Sequence, residues 1–238
     1  MTIARRAGFA ATAVALGIGL AACGSDTAGE ATKADDTSQT APESSATSSP
    51  AESAPPPAST PPAQDPGMTI EQYAEQNGIT VAPVLPGDPG APTITLPRPS
   101  GWEAAGDRAP EGAFDAIVYT GEPPSPTPPM IVARVVKLTG NVDQAKVLEY
   151  APAETRSLPG YEGAPTGKKS TLGGYEATQI GGFYTRDGVT WLIAQKTAVV
   201  PIQDGVFVVK VTAEGTEDLA MPLMDATSAI DEQATITP

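Results

Sequence analysis

The chain has no histidine, and its 238 residues include one cysteine, Cys23. Those two shortages remove much familiar catalytic chemistry: without an imidazole or a free thiol there is no Ser-His-Asp relay and no Cys-His pair. They also exclude a metal site built from histidine and cysteine ligands. One cysteine cannot close an intrachain disulfide, so a domain exported to an oxidising compartment must be held by its core alone. Basic residues are scarce as well: 14 Lys and Arg stand against 28 Asp and Glu, for a formal net charge of −14. Nucleic acid is bound through clustered cations, and this balance excludes it as a partner. Strongly apolar runs are missing too. The stretch 7–20 is the most apolar, but it is rich in alanine and falls short of the roughly 20 strongly apolar residues that span hydrocarbon.

That stretch is preceded by Arg5 and Arg6 and followed by Ala21 and Ala22 directly before Cys23, which is the order of a secretory signal. Leu20-Ala21-Ala22-Cys23 resembles the bacterial lipobox, in which the thiol is acylated and becomes the new N-terminus. Residues 1–22 are therefore expected to be cleaved, and Cys23 to carry the lipid that holds the protein on the extracytoplasmic face of the cell membrane. Two or more acyl chains, at about 0.8 kcal/mol per buried CH₂, make such an anchor stable. Arg5-Arg6 also suggests twin-arginine export, but Phe9 lies one place too far along, which favours the general secretory route. Partial release from the membrane is the variant of this localisation.

Residues 24–66 consist almost wholly of Ala, Ser, Thr, Pro, Gly and acids, with no aromatic residue and no Leu, Ile or Val. Nothing there can offset the entropy of folding, so a disordered tether is expected. A random chain of that length reaches about 35 Å on average, and prolines extend it further. Residues 67–238 remain as one globular domain, long enough to bury a core and expected to be monomeric.

Thr69 and Gln72 have the spacing of a capping box, and Met68 can staple onto Tyr73, which predicts a helix over 70–77 that stops at Gly78. The Pro- and Gly-punctuated stretch 83–92 reads as turns, and 93–96 as a short strand. Runs dense in Val, Ile, Phe and Tyr predict strands at 114–120, 130–138, 175–185, 189–200 and 205–213. Asp187-Gly188 and Asp204-Gly205 between the last three are tight-turn dipeptides, so these strands form an antiparallel meander. Asp143 caps a second helix that ends at Ala151-Pro152. Leu219, Leu223, Ala226 and Ile230 make an amphipathic stripe near the C-terminus, with Pro222 suited to the first turn of a helix that starts later. Helices at both ends and in the middle of a meander argue an α+β sandwich.

Leu96-Pro97 leading to Gly101-Trp102, the segments 116–121 (AIVYTG), 137–142 (KLTGNV) and 193–197 (IAQKT), and the C-terminal 224–232 (MDATSAIDE) resemble the LpqN/LpqT lipoproteins of mycobacteria and their relatives. The resemblance runs from about Met68 to Pro238. It implies a Mog1/PsbP-like α/β/α sandwich, with a central antiparallel sheet flanked by helices. It also implies a non-catalytic envelope protein linked to the mycolate outer layer, with no catalytic residues to carry over.

The residues themselves agree with a binding role. Gly163-Ala164-Pro165-Thr166-Gly167-Lys168-Lys169 has three residues between its glycines where a phosphate loop needs four, and lacks the Ser or Thr after its lysine; it reads as a flexible basic turn. Acids alone can hydrolyse glycosides, and Asp115, Glu176 and Asp187 lie on or beside predicted strands, but acids there are more often solvated. With no catalytic residue, metal or cofactor assigned, the candidate ligand-binding residues are aromatics with a polar tip and scarce loop cations: Trp102, Tyr119, Tyr184, Arg108, Lys168 and Lys169. Phe183 and Trp191 belong to the same small aromatic set, and core packing is the competing role for each. The expected partners are an envelope protein, a glycolipid, or both. An exported effector binding host proteins is the alternative, and an acid-pair glycoside hydrolase a third reading.

Overall fold

The computed structural model describes residues 67–238. The signal peptide, the lipidation site Cys23 and the tether read from the sequence lie outside the described residues. Helix α1 (Ile70–Gln76) opens with the expected capping box: the Thr69 hydroxyl accepts from the Gln72 backbone N–H, and the Gln72 side chain accepts from that of Thr69. Asn77 caps the other end, and Gly78 follows with φ +64°, a left-handed conformation that glycine adopts without steric cost.

Strands β1 (Thr80–Val84), β2 (Thr93–Thr95), β3 (Trp102–Ala104), β4 (Asp115–Tyr119) and β5 (Met130–Thr139) follow. Helices α2 (Gln144–Tyr150) and α3 (Pro152–Arg156) come next, then β6 (Glu162–Gly163), β7 (Lys168–Leu172), β8 (Tyr175–Arg186), β9 (Val189–Ile202) and β10 (Gly205–Thr216). Helix α4 (Ala220–Gln233) and β11 (Thr235–Thr237) end the chain. The meander β8–β9–β10 is as expected, and β5 extends it by pairing along its whole length with Gly205–Glu214 of β10. Each outer long strand is then edged by two short ones laid end to end: β4 and β1 on β5, β6 and β7 on β8. With β3 added to β4, the sheet has nine strands, while β2 and β11 pair separately.

The fold is α+β, with an antiparallel sheet packed on both faces. One face carries Val135, Phe207, Val209, Ala198 and Val200 beneath Leu223, Ala226 and Ile230 of α4. Burying an Ile or Leu in this way stabilises by roughly 1.5–3 kcal/mol. The opposite face carries Leu138, Val199, Val206 and Val208 beneath Tyr73 and Ala74 of α1 and Val147 of α2. Tyr73 also joins the two helices: its hydroxyl accepts from the Asp143 backbone N–H at 2.9 Å, and its ring lies 5.6 Å from that of Tyr150. Asp143 in turn caps α2, accepting from the N–H groups of Ala145 and Lys146.

Several sequence expectations are corrected. Pro83 and Val84 belong to β1, not to a turn; Pro83 is tolerated because β1 is an edge strand. Pro152 ends α2 but starts α3, where a residue without an N–H loses no helical bond. The basic stretch 163–169 is a turn only over 164–167, since Gly163 ends edge strand β6 and Lys168 and Lys169 open edge strand β7.

Between α3 and the sheet lies a buried polar cluster. Gln195, 5 % exposed, accepts from the Thr155 hydroxyl at 3.1 Å and donates to the Ala151 carbonyl and the Thr197 hydroxyl at 3.2 and 3.4 Å. The amide thereby satisfies the carbonyl left over where the chain breaks from α2 into α3.

Candidate functional site

The strand register builds a depression in the face that α4 covers. Gly181 pairs with Ala194 and Ala194 with Ala213, so three small residues lie side by side across β8, β9 and β10. The rows on either side are larger: Gln179, Lys196 and Val211 on one flank, Phe183 and Leu192 on the other. Helix α4 walls one side with Thr227, Ile230 and Asp231, and Ala164 and Lys168 close another. The cavity is open to solvent on one side and has a volume of about 290 Å³. Its floor is apolar; its rim carries an ion pair between Lys196, whose side chain is 11 % exposed, and Asp231. Beyond the flank, Phe183 is 42 % exposed, which prolongs the apolar floor toward solvent.

The sequence-nominated residues are divided by the fold. Lys168 reaches the rim of this cavity. Lys169, its neighbour on β7, points the other way into a second cavity of about 380 Å³ shared with Arg156, Glu149 and Glu176. Arg108 is exposed in a short 3-10 turn, Gly106–Arg108.

Trp102 and Tyr184 are corrected from candidate contacts to core residues: their exposures are 5 % and 4 %, so neither offers an open face to a ligand. Trp102 pairs with Tyr119 across β3 and β4, their ring centroids 5.6 Å apart. The Tyr119 hydroxyl donates to the Glu122 carbonyl at 2.8 Å, and its ring fits only because residue 121 is glycine, where a Cβ would lie 2.6 Å from it. Tyr119 is half-buried and committed to this loop. Burial pushes the Tyr184 phenol up to about 12, with the Glu214 carboxylate adding to the shift and Arg186 opposing it.

Asp115, Glu176 and Asp187 are not brought together. Asp115 is on β4, separated from β8 by β5, β10 and β9. Glu176 and Asp187 lie at the two ends of β8, roughly 35 Å apart at strand rise. A glycosidase pair needs about 5–9.5 Å. Among the described residues no group of three or more His, Cys, Asp or Glu could hold a metal ion, and no helix is long and apolar enough to cross a membrane.

Sequence reasoning missed the floor residues Gly181, Ala194 and Ala213 and the Lys196–Asp231 pair. One signal was available: Gly181-Gly182 in the middle of a β-branched run marks a place where a ligand or another chain segment comes close.

The domain is of the antiparallel α+β class, with an apolar cavity beside its C-terminal helix. Residues 66–237 match the model of a family described as probable lipoprotein LpqN, and the chain belongs to that family. It is 49 % identical over 176 residues to lipoprotein LpqN of Mycobacterium tuberculosis, an alignment covering 73 % of this chain and 75 % of the relative. The crystal structure of LpqN involved in cell envelope biogenesis of that organism superposes with a TM-score of 0.67 at 47 % identity, covering 73 % of this chain and 99 % of the other. The family is one of lipoproteins, which makes this chain lipid-anchored and envelope-associated.

Proposed function

We propose that this protein is a non-catalytic binding and scaffold module of cell-envelope biogenesis, tied to the outer face of the membrane by lipid on Cys23. Its ligand is an envelope glycolipid held in the cavity beside α4, and it acts together with an envelope protein partner. The observation that carries the reading is the cavity itself. Gly181, Ala194 and Ala213 leave an apolar floor for a hydrocarbon segment, which gains about 25 cal/mol per Å² on leaving water, while Gln179, Lys168 and the Lys196–Asp231 pair present hydrogen-bonding groups to sugar hydroxyls at the rim. The relative's part in envelope biogenesis supports the setting. The separation of the three nominated acids supports a role without hydrolysis.

Affinity capture from the intact envelope, followed by mass spectrometry of lipids and proteins, tests this. Ala194→Phe fills the floor from a half-buried position and should deplete co-purifying glycolipid at least about tenfold while the thermal midpoint stays near wild type. Equal glycolipid recovery by both proteins would remove the cavity from the reading, and turnover of a captured glycolipid or glycan would overturn the non-enzymatic role.

A further inference from the structure

The other face of the sheet also holds a concavity of about 320 Å³, away from α4. Its floor is Met130, Val132 and Arg134 of β5 with Thr212 and Glu214 of β10; Pro110 and Pro128 form one wall, and Arg186 with Trp191 the other. Two features set it apart in so acidic a protein. The half-buried side chain of Arg134 makes neither a hydrogen bond nor an ion pair among the described residues. Its cross-strand neighbour Lys210 does not share that state, because Lys210 is paired with Glu154. Arg186, for its part, lies over the Trp191 ring, its guanidinium carbon 3.3 Å from the ring centroid, and meets a carboxylate only at 3.5 Å, that of Glu214. Stacking fixes the plane of a guanidinium and leaves its edge donors free to bond.

The cavity thus carries two guanidiniums against one carboxylate. A balance of one positive charge suits a monoanion, whereas a dianion would leave the cavity with a net negative charge and be repelled twice as strongly by the Glu214 carboxylate. Guanidinium forks match carboxylate oxygens in geometry, the Thr212 hydroxyl supplies a further donor, and Met130, Val132, Pro110, Pro128 and the edge of Trp191 offer apolar contact. We propose that this cavity is a binding site for a small amphipathic carboxylate, with the carboxylate between Arg134 and Arg186 and the apolar part against Met130 and the prolines. The site is independent of the cavity beside α4 and takes a ligand of different chemistry.

The probe is 4-phenylbutyrate, titrated into the full-length chain and followed by calorimetry and by the Trp191 indole N–H resonance. Saturable binding with a Kd of about 1 mM or tighter is expected. The neutral amide, 4-phenylbutyramide, should bind at least about tenfold more weakly, and so should 3-phenylpropylphosphonate as the dianion. Arg134→Gln loses no ion pair on folding and should weaken binding at least about tenfold; Arg186→Lys keeps the charge but not the fork and should weaken it too. Arg98→Gln, exposed and outside the cavity, should bind as wild type. Absence of saturable binding up to about 10 mM, equal affinity for the amide, a tighter phosphonate, or wild-type binding by Arg134→Gln would each overturn the assignment.

Discussion

Replacing Trp102 by alanine distinguishes a core aromatic from a ligand-contacting one. The indole is 5 % exposed, belongs to the main apolar cluster, and lies with its centroid 5.6 Å from that of Tyr119 at an interplanar angle of 59°. Removing a buried tryptophan costs roughly 3–5 kcal/mol. The lower end applies, because β3 is a three-residue edge strand whose backbone can relax into part of the space. About 3 kcal/mol corresponds to a fall in Tm of roughly 6–12 °C for a domain of this size. Trp102→Phe keeps an aromatic pair with Tyr119 and should lose about 1 kcal/mol, a few degrees at most. Thermal unfolding followed by circular dichroism, with urea midpoints alongside, measures both. If Trp102→Ala unfolds within about 1 °C of wild type yet loses envelope capture, the indole contacts a ligand and the core assignment is wrong.

Gln195→Leu should cost about 2–4 kcal/mol, since the Thr155 hydroxyl and the Ala151 carbonyl both lose a buried partner; an unchanged urea midpoint would show that the amide does not dock α3. Stability should also fall as pH rises between the ordinary tyrosine value of 10.0 and about 12 through Tyr184. The unfolded chain releases that proton first, so the contribution is complete below the lower value and about 2 to 3 kcal/mol is lost through the higher. Urea titrations should therefore show wild type losing more stability than Tyr184→Phe over this range, and parallel curves would refute the assignment. Labelled palmitate should enter the wild-type protein and not Cys23→Ala, and equal labelling would place the acyl group elsewhere.

Elements specified by neighbouring residues were legible in the sequence. The Thr69–Gln72 capping box, the Asp143 cap, the Asp187-Gly188 turn and the stripe of Leu223, Ala226 and Ile230 each encode their geometry within a few residues, and each forms as read, while the turn expected at Asp204-Gly205 lies one residue earlier, at Gln203-Asp204, with Gly205 already paired to Ile202. The absence of histidine and free thiol likewise narrowed the chemistry without any fold. Less legible were the short edge strands β1, β3, β6, β7 and β11. β1, β6 and β7 carry a proline, a glycine and lysines that read locally as turns, β3 and β11 are only three residues long, and all five are strands only because β5, β8, β4 or β2 offers unpaired backbone alongside. The candidate site belonged to this second kind as well. Gly181, Ala194 and Ala213 are distant in sequence and ordinary singly, and only the register of β8, β9 and β10 sets them side by side. Burial was decided at the same level: a tryptophan after a proline- and glycine-rich loop looks exposed until β3 pairs with β4 and turns it onto Tyr119. Composition and local motifs led to the expectation of a secretory leader and an exported, anchored domain, and determined most of the long elements, because those depend on neighbours along the chain. Which side chains share a cavity depends on pairing between strands far apart in sequence, and only the tertiary structure decided that.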